Sequence, residues 1–265
     1  MTYKFSAVAA AAIALAVPVR VLAQAGRGGQ AGPPPSARAS APADLTGYWV
    51  SLVTEDWRFR MVTPAKGDYA SVPLNAEGRK VADAWDAARD EAAGNQCKAY
   101  GAAAIMRVPG RIHITWENEN TLKIDTDAGT QTRLLRFGRP QPQTGEPAWQ
   151  GDSAAQWEYA GGRRAQNTGT PAPAGAAEPS RGGDLKVVTT RMRPGYLRKN
   201  GVPYGGNAVL TEYFHRTVEP NGDSWLIVTT LVEDPQYLIQ PFQTSTHFKK
   251  QADASGWDPA PCTAR

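Results

Sequence analysis

From residue 44 onward, most of the chain alternates apolar and polar side chains with a period of two, the pattern of half-buried β-strands. Tyr48, Val50 and Leu52 share one face of a first strand, with Trp49, Ser51 and Val53 on the other. Trp57 to Val62 reads as its neighbour, Trp57, Phe59 and Met61 lying opposite Arg58 and Arg60. The period then changes. Asn75 is placed to cap a helix, and Val81, Trp85, Ala88 and Ala92 recur at helical spacing as one apolar stripe that ends at Gly94-Asn95.

After Cys97 the period of two returns without a break in Arg111-Ile-His-Ile-Thr-Trp-Glu117. Leu122 to Thr126 and Thr130 to Phe137 follow across short turns, giving an antiparallel meander. A Pro-, Gly- and Gln-rich stretch, 139–183, interrupts it, with one strand inside at Ser153 to Tyr159 and a low-complexity insertion at 161–183. Strands resume at Asp184 to Met192, Ala208 to Val218, Ser224 to Val232 and Pro241 to Lys250, with Asn221-Gly222 as a hairpin turn. About ten strands and one helix predict a mainly β fold. An antiparallel β-barrel with one surface α-helix removes the open edges; a β-sandwich is the alternative.

The first residues break this picture. Lys4 precedes an apolar run from Phe5 to Val19, too short for an ordinary membrane span but suited to the core of a secretory signal. Cleavage fits after Ala23 or after Ala25, so residues 1–25 are read as a signal peptide and the mature chain as periplasmic or secreted. Residues 26–43, rich in Gly, Pro, Ala and Ser, read as a flexible leader, and 44–265 as a single β-rich domain. No later stretch is apolar for long enough to predict a membrane span.

Charge adds little. There are 29 Lys and Arg against 25 Asp and Glu, and the signal carries away Lys4 and Arg20. Such a balance gives no basis for nucleic-acid binding. Two cysteines, Cys97 and Cys262, form an even count, which in an exported chain predicts a disulfide.

Gly47-Tyr48-Trp49, at the head of the first strand, resembles the Gly-x-Trp opening of the lipocalins. The resemblance implies a lipocalin-like or calycin-like barrel that carries a small apolar ligand, with Trp49 plugging its closed end. Asp44 to Tyr69, Ala104 to Thr132 and Gly195 to Lys249 are also similar to a group of exported bacterial proteins of unknown function.

Candidate chemistry is sparse. The chain has no Gly-x-Ser-x-Gly elbow, no His-Glu-x-x-His, no P-loop and no dinucleotide fingerprint, so no cofactor is indicated. His113, His215 and His247 are the three histidines. His113 and Glu117 share a strand face but stand about 13 Å apart along it, too far for one metal ion. Glu212, Phe214 and Arg216 fall on one face of their strand, a candidate solvated ladder, and Tyr213 and His215 fall on the other. The loop Arg193 to Tyr204 mixes basic and aromatic residues and reads as a lid or a carboxylate-binding rim.

The expected ligand site is a barrel cavity lined by His113, Glu117, Tyr213 and His215, with the isoleucine face of 111–117 turned outward beneath Val81 and Trp85. The leading expectation is a binding module for a small, mostly apolar or aromatic ligand. The alternatives are an enzyme using His, Glu and Tyr as acid and base, either an isomerase or a hydrolase, and an envelope or complex subunit without a small ligand.

Overall fold

A computed structural model describes residues 34–138, 144–159 and 182–264. The expected signal segment, 1–25, and nearly all of the expected insertion at 161–183 lie outside them. In chain order the elements are β1 (Gly47–Leu52), α1 (Trp57–Arg60), α2 (Ala76–Asp83), α3 (Ala87–Ala92), α4 (Ala102–Ile105), β2 (Arg111–Asn118), β3 (Thr121–Thr126), β4 (Ala128–Gly129), β5 (Thr132–Phe137) and β6 (Asp152–Tyr159). Then come β7 (Gly183–Thr190), β8 (Gly195–Arg198), β9 (Val202–Tyr204), β10 (Val209–Val218), β11 (Ser224–Glu233), β12 (Phe242–Lys250) and β13 (Ala260–Pro261).

Nine strands close into a barrel in the order β1-β12-β11-β10-β7-β6-β5-β3-β2. Closure satisfies both edges of every strand, which an open sheet of this size could not do. Every neighbouring pair is antiparallel except β5 and β6, which run parallel with Leu135 opposite Ser153. The chain leaves β5 at one end of the barrel and enters β6 from the opposite end, so the Pro-rich link breaks the meander rather than extending it.

Inward residues repeat one order along the later strands: apolar, polar, apolar. β10 turns Leu210, Glu212 and Phe214 inward, β11 turns Val232, Thr230 and Val228, and β12 turns Phe242, Thr244, Thr246 and Phe248. The result is two apolar clusters separated by a polar belt. One cluster holds Trp49, Ile114, Leu135, Leu185 and Phe248; the other holds Met192, Leu197, Tyr204, Leu210 and Phe242. Within the belt, Arg133 and Glu212 are both fully buried and form a bidentate pair at 3.1 and 2.6 Å. Ser153 and Thr189 add a hydroxyl contact at 2.8 Å. Glu212 is therefore no part of a solvated ladder, because its partner Arg133 comes from across the barrel and holds it inside.

Several expectations are corrected by this packing. On β2 it is Ile112 and Ile114 that face inward, and His113 and Glu117 face outward. Burying the two isoleucines contributes about 1.5–3 kcal/mol each, and among the described residues no helix packs on the outer face of β2 to offer a competing site. The expected helix is two short ones. α2 starts at Asn75, whose side chain accepts from the Gly78 N–H at 2.8 Å. The chain breaks after Asp83, and Asp86 caps α3 by accepting from Ala88 and Arg89. The buried face is Gly78, Ala82, Ala87 and Asp90; Ala88 and Ala92 are exposed. α2 packs over β9 and the barrel end.

Trp57 to Arg60 forms one helical turn rather than a strand, because Asp56 adopts a left-handed conformation (φ 49°) and ends the extended run after β1. Trp49 is fully buried, its indole N–H donates to the Leu45 carbonyl at 2.9 Å, and the Lys250 ammonium stands 4.7 Å from its ring. The second half of the proposed leader is docked on the barrel. The Trp157 indole donates to the Ala37 carbonyl and the Tyr159 hydroxyl to that of Ser40, both at 2.8 Å. Cys97 and Cys262 are joined in a disulfide. Among the described residues no helix is long and apolar enough to cross a membrane.

Candidate functional site

Three arginines collect at the barrel end that the second apolar cluster closes. Arg60 ends α1, Arg107 follows α4, and Arg198 ends β8. All three are buried, with Arg107 and Arg198 only 6% and 4% exposed. They line a cleft of about 390 Å³ together with Lys199, Tyr100, Met61 and Val62. One wall is the turn Lys98–Tyr100 and another is the C-terminal segment at Ala260 to Thr263; the Cys97–Cys262 bridge ties these two walls together. Gly129, at φ +77°, lets the chain pass beneath Tyr100, since a Cβ there would lie 2.3 Å from the ring.

The three guanidinium groups differ in how they are satisfied. Arg60 pairs with Glu55 and donates to the Arg107 carbonyl and to Ser51 Oγ, each at 2.9 Å. Arg107 donates from Nη2 to Asp56 Oδ2 at 3.0 Å, but its buried Nη1 meets no acceptor. Arg198 donates only from Nη1, to the Ala70 carbonyl at 2.7 Å. Its Nε and Nη2 are buried without a partner, and no carboxylate among the described residues lies at ion-pair distance. Its guanidinium stacks on the Phe59 ring at 4.1 Å.

Burial, and then the charge of Arg107, bring the Arg198 pKa down to about 10. Burial likewise lowers Arg107 and Arg60. Glu55 pairs with Arg60 and Asp56 with Arg107, while Asp68, which acts on Arg198 from beyond ion-pair distance, is itself paired with Arg58 at 2.6 Å. Arg198 is thus left without a direct counter-ion in a dry setting, where an unpaired ion costs several kcal/mol. Such an arrangement is chemically suited to an anion, because charge-assisted, bidentate geometry matches carboxylate and phosphate. Tyr100 adds a polar group on the same wall. Burial pushes its phenol up, but the Lys199 ammonium, donating at 2.7 Å, and Thr263 outweigh this and leave it lowered.

The residues expected from the sequence to form a site do not meet. His113 lies on the outer surface, stacked on Tyr48 at 3.9 Å with Trp257 edge-on at 6.3 Å, and burial lowers its pKa. Glu117 is exposed at the end of the same strand. Tyr213 faces outward beside Lys186, and His215 Nδ1 lies 2.6 Å from Asp184 on the exposed surface. β2 and β10 are separated by β1, β12 and β11, so these four side chains form two unrelated patches. His247 sits apart from both, 3.3 Å from Glu55. Among the described residues no three His, Cys, Asp or Glu side chains gather as metal ligands.

Of the residues that do line the cleft, Arg198 and Lys199 belong to the basic and aromatic loop 193–204, which folds as the β8–β9 hairpin. Arg60 and Arg107 carried no signal. One sits in a stretch that alternates like a strand, the other beside an alanine run, and only the tertiary fold brings them to Arg198. No protein-family model matches the chain, and no curated protein or solved structure is significantly similar to it.

Proposed function

We propose that the protein is a binding module for a small acidic molecule, held in the barrel-end cleft with its anionic group on Arg198 and Arg107. One observation carries this reading: Arg198 is a buried cation with two unpartnered nitrogens and no carboxylate at ion-pair distance among the described residues. Structural arginines at such depth are paired, as Arg133 is with Glu212. The side chains of the polar belt and the two apolar clusters fill the barrel interior, which favours a site at its end. The reading of 1–25 as a secretory signal and the disulfide favour a role outside the cytoplasm.

Native mass spectrometry of the protein from its own host, followed by extraction under denaturing conditions, tests the reading. An acidic molecule retained by wild type and missing from Arg107→Gln/Arg198→Gln supports it. The same molecule on both proteins, or a neutral one, overturns it.

A second reading rests on Tyr100. A phenol of lowered pKa beside an ammonium group is a general acid or base in waiting, and the cleft would then convert its ligand. Incubation with the acid recovered from the protein distinguishes the two readings. A product that Tyr100→Phe does not form supports conversion, and unchanged ligand overturns it.

A further inference from the structure

We infer that the acid taken by this cleft is an amphiphile, with one anionic head and a flexible apolar chain of about ten carbons. The inference rests on the binding reading above and names its ligand class. The cleft is two-sided. Its buried side carries Arg107 and Arg198, and its mouth carries Met61 and Val62, which are 60% and 67% exposed. Trp57, one helical turn before Met61, is 65% exposed. These three are among the five exposed large apolar side chains found in the described residues, and all fall within six positions of sequence. Scattered apolar residues need no explanation, but Met61 and Val62, exposed together at the lip of a charged cleft, do.

Two narrower classes of ligand leave part of the site unused. A compact anion such as phosphate neutralises the arginines but leaves Met61 and Val62 in water. A neutral lipid covers the lip but leaves Arg198 buried and unpaired. An acid with an apolar chain satisfies both at once. The volume of about 390 Å³ sets the length. At roughly 30 Å³ for a water-sized group it holds about a dozen such groups, a carboxylate and about ten carbons.

Calorimetric titration of the full chain with sodium alkanoates from acetate to tetradecanoate, kept below their micelle concentrations, tests the inference, with decanol as the neutral match. Affinity is expected to rise about fourfold per methylene and to level off near ten to twelve carbons. Decanoate should bind at least tenfold more tightly than decanol. Met61→Ser/Val62→Ser should flatten the rise, whereas Val218→Ser, exposed elsewhere on the barrel, should leave it unchanged.

The outcomes separate the two claims. Alkanoates that bind with no dependence on chain length overturn the amphiphile and leave the anion site standing. Decanoate and decanol that bind equally overturn the anion site. Absence of binding by every alkanoate overturns both.

Discussion

Replacing Arg198 with methionine should leave the unliganded protein at least as stable as wild type, whereas most substitutions of buried residues destabilise. The fall of its pKa from 12.5 to about 10 corresponds to roughly 3 kcal/mol against the charged form in the folded state. The substitution removes that cost. It also removes the bond to the Ala70 carbonyl, a loss of about 1.5–3 kcal/mol for a charged donor. A methionine sulfur keeps part of the contact with the Phe59 ring, about 0.3–1.5 kcal/mol in other proteins. The balance runs from neutral to a gain of about 1.5 kcal/mol, which for a domain of this size leaves the melting temperature unchanged or raises it by a few degrees. Differential scanning calorimetry of ligand-stripped wild type and variant reads this directly. A variant that melts several degrees lower would show that Arg198 is satisfied in the folded state, and the argument for an anion at this position would fail.

The paired ion in the belt should behave in the opposite way: Glu212→Gln is expected to lose about 3–5 kcal/mol in urea unfolding, and Arg133→Met/Glu212→Leu less than either single change. A loss below 1 kcal/mol for Glu212→Gln would contradict the burial assigned to it. Cys97→Ser should cost about 2–5 kcal/mol and speed hydrogen exchange at 260–264, since the bridge holds that wall of the cleft; unchanged exchange would remove the bridge from the site. His113 should titrate below 6.5 by NMR because burial disfavours its charged form. Its unfolded form then binds protons first, so stability should rise with pH through the window just below 6.5. His113→Phe should lose that slope, and a His113 that titrates at or above 6.5 contradicts the assignment.

Local pattern carried much of the fold. The unbroken alternation of Arg111 to Glu117 marked β2, and Asn221-Gly222 marked the β10–β11 hairpin, because strand period and turn chemistry are properties of neighbours in sequence. Alternation names two faces but does not say which one points inward. For β2 that choice depended on what covers the outer face, and α2 went to β9 instead. Glu212 was misread for a related reason: the partner that makes its burial tolerable is 79 residues away. At Trp57 to Val62 the alternation itself was misleading, since a single left-handed residue, Asp56, turned an apparent strand into a helical turn.

The candidate site was the least legible part. Its arginines come from three separate segments, and none of them sits in a motif. The basic and aromatic composition of 193–204 pointed to one part of it, but nothing in the sequence linked that loop to Arg60 or Arg107.

The most direct test of the central claim is an NMR titration with acetate at constant ionic strength, following the arginine Nε–H signals, with Arg198 assigned from Arg198→Gln. The account predicts that the Arg198 and Arg107 signals shift and saturate while that of Arg133, already paired with Glu212, stays in place. Signals of Arg198 and Arg107 that remain fixed, or that drift together with every other arginine without saturating, would contradict it.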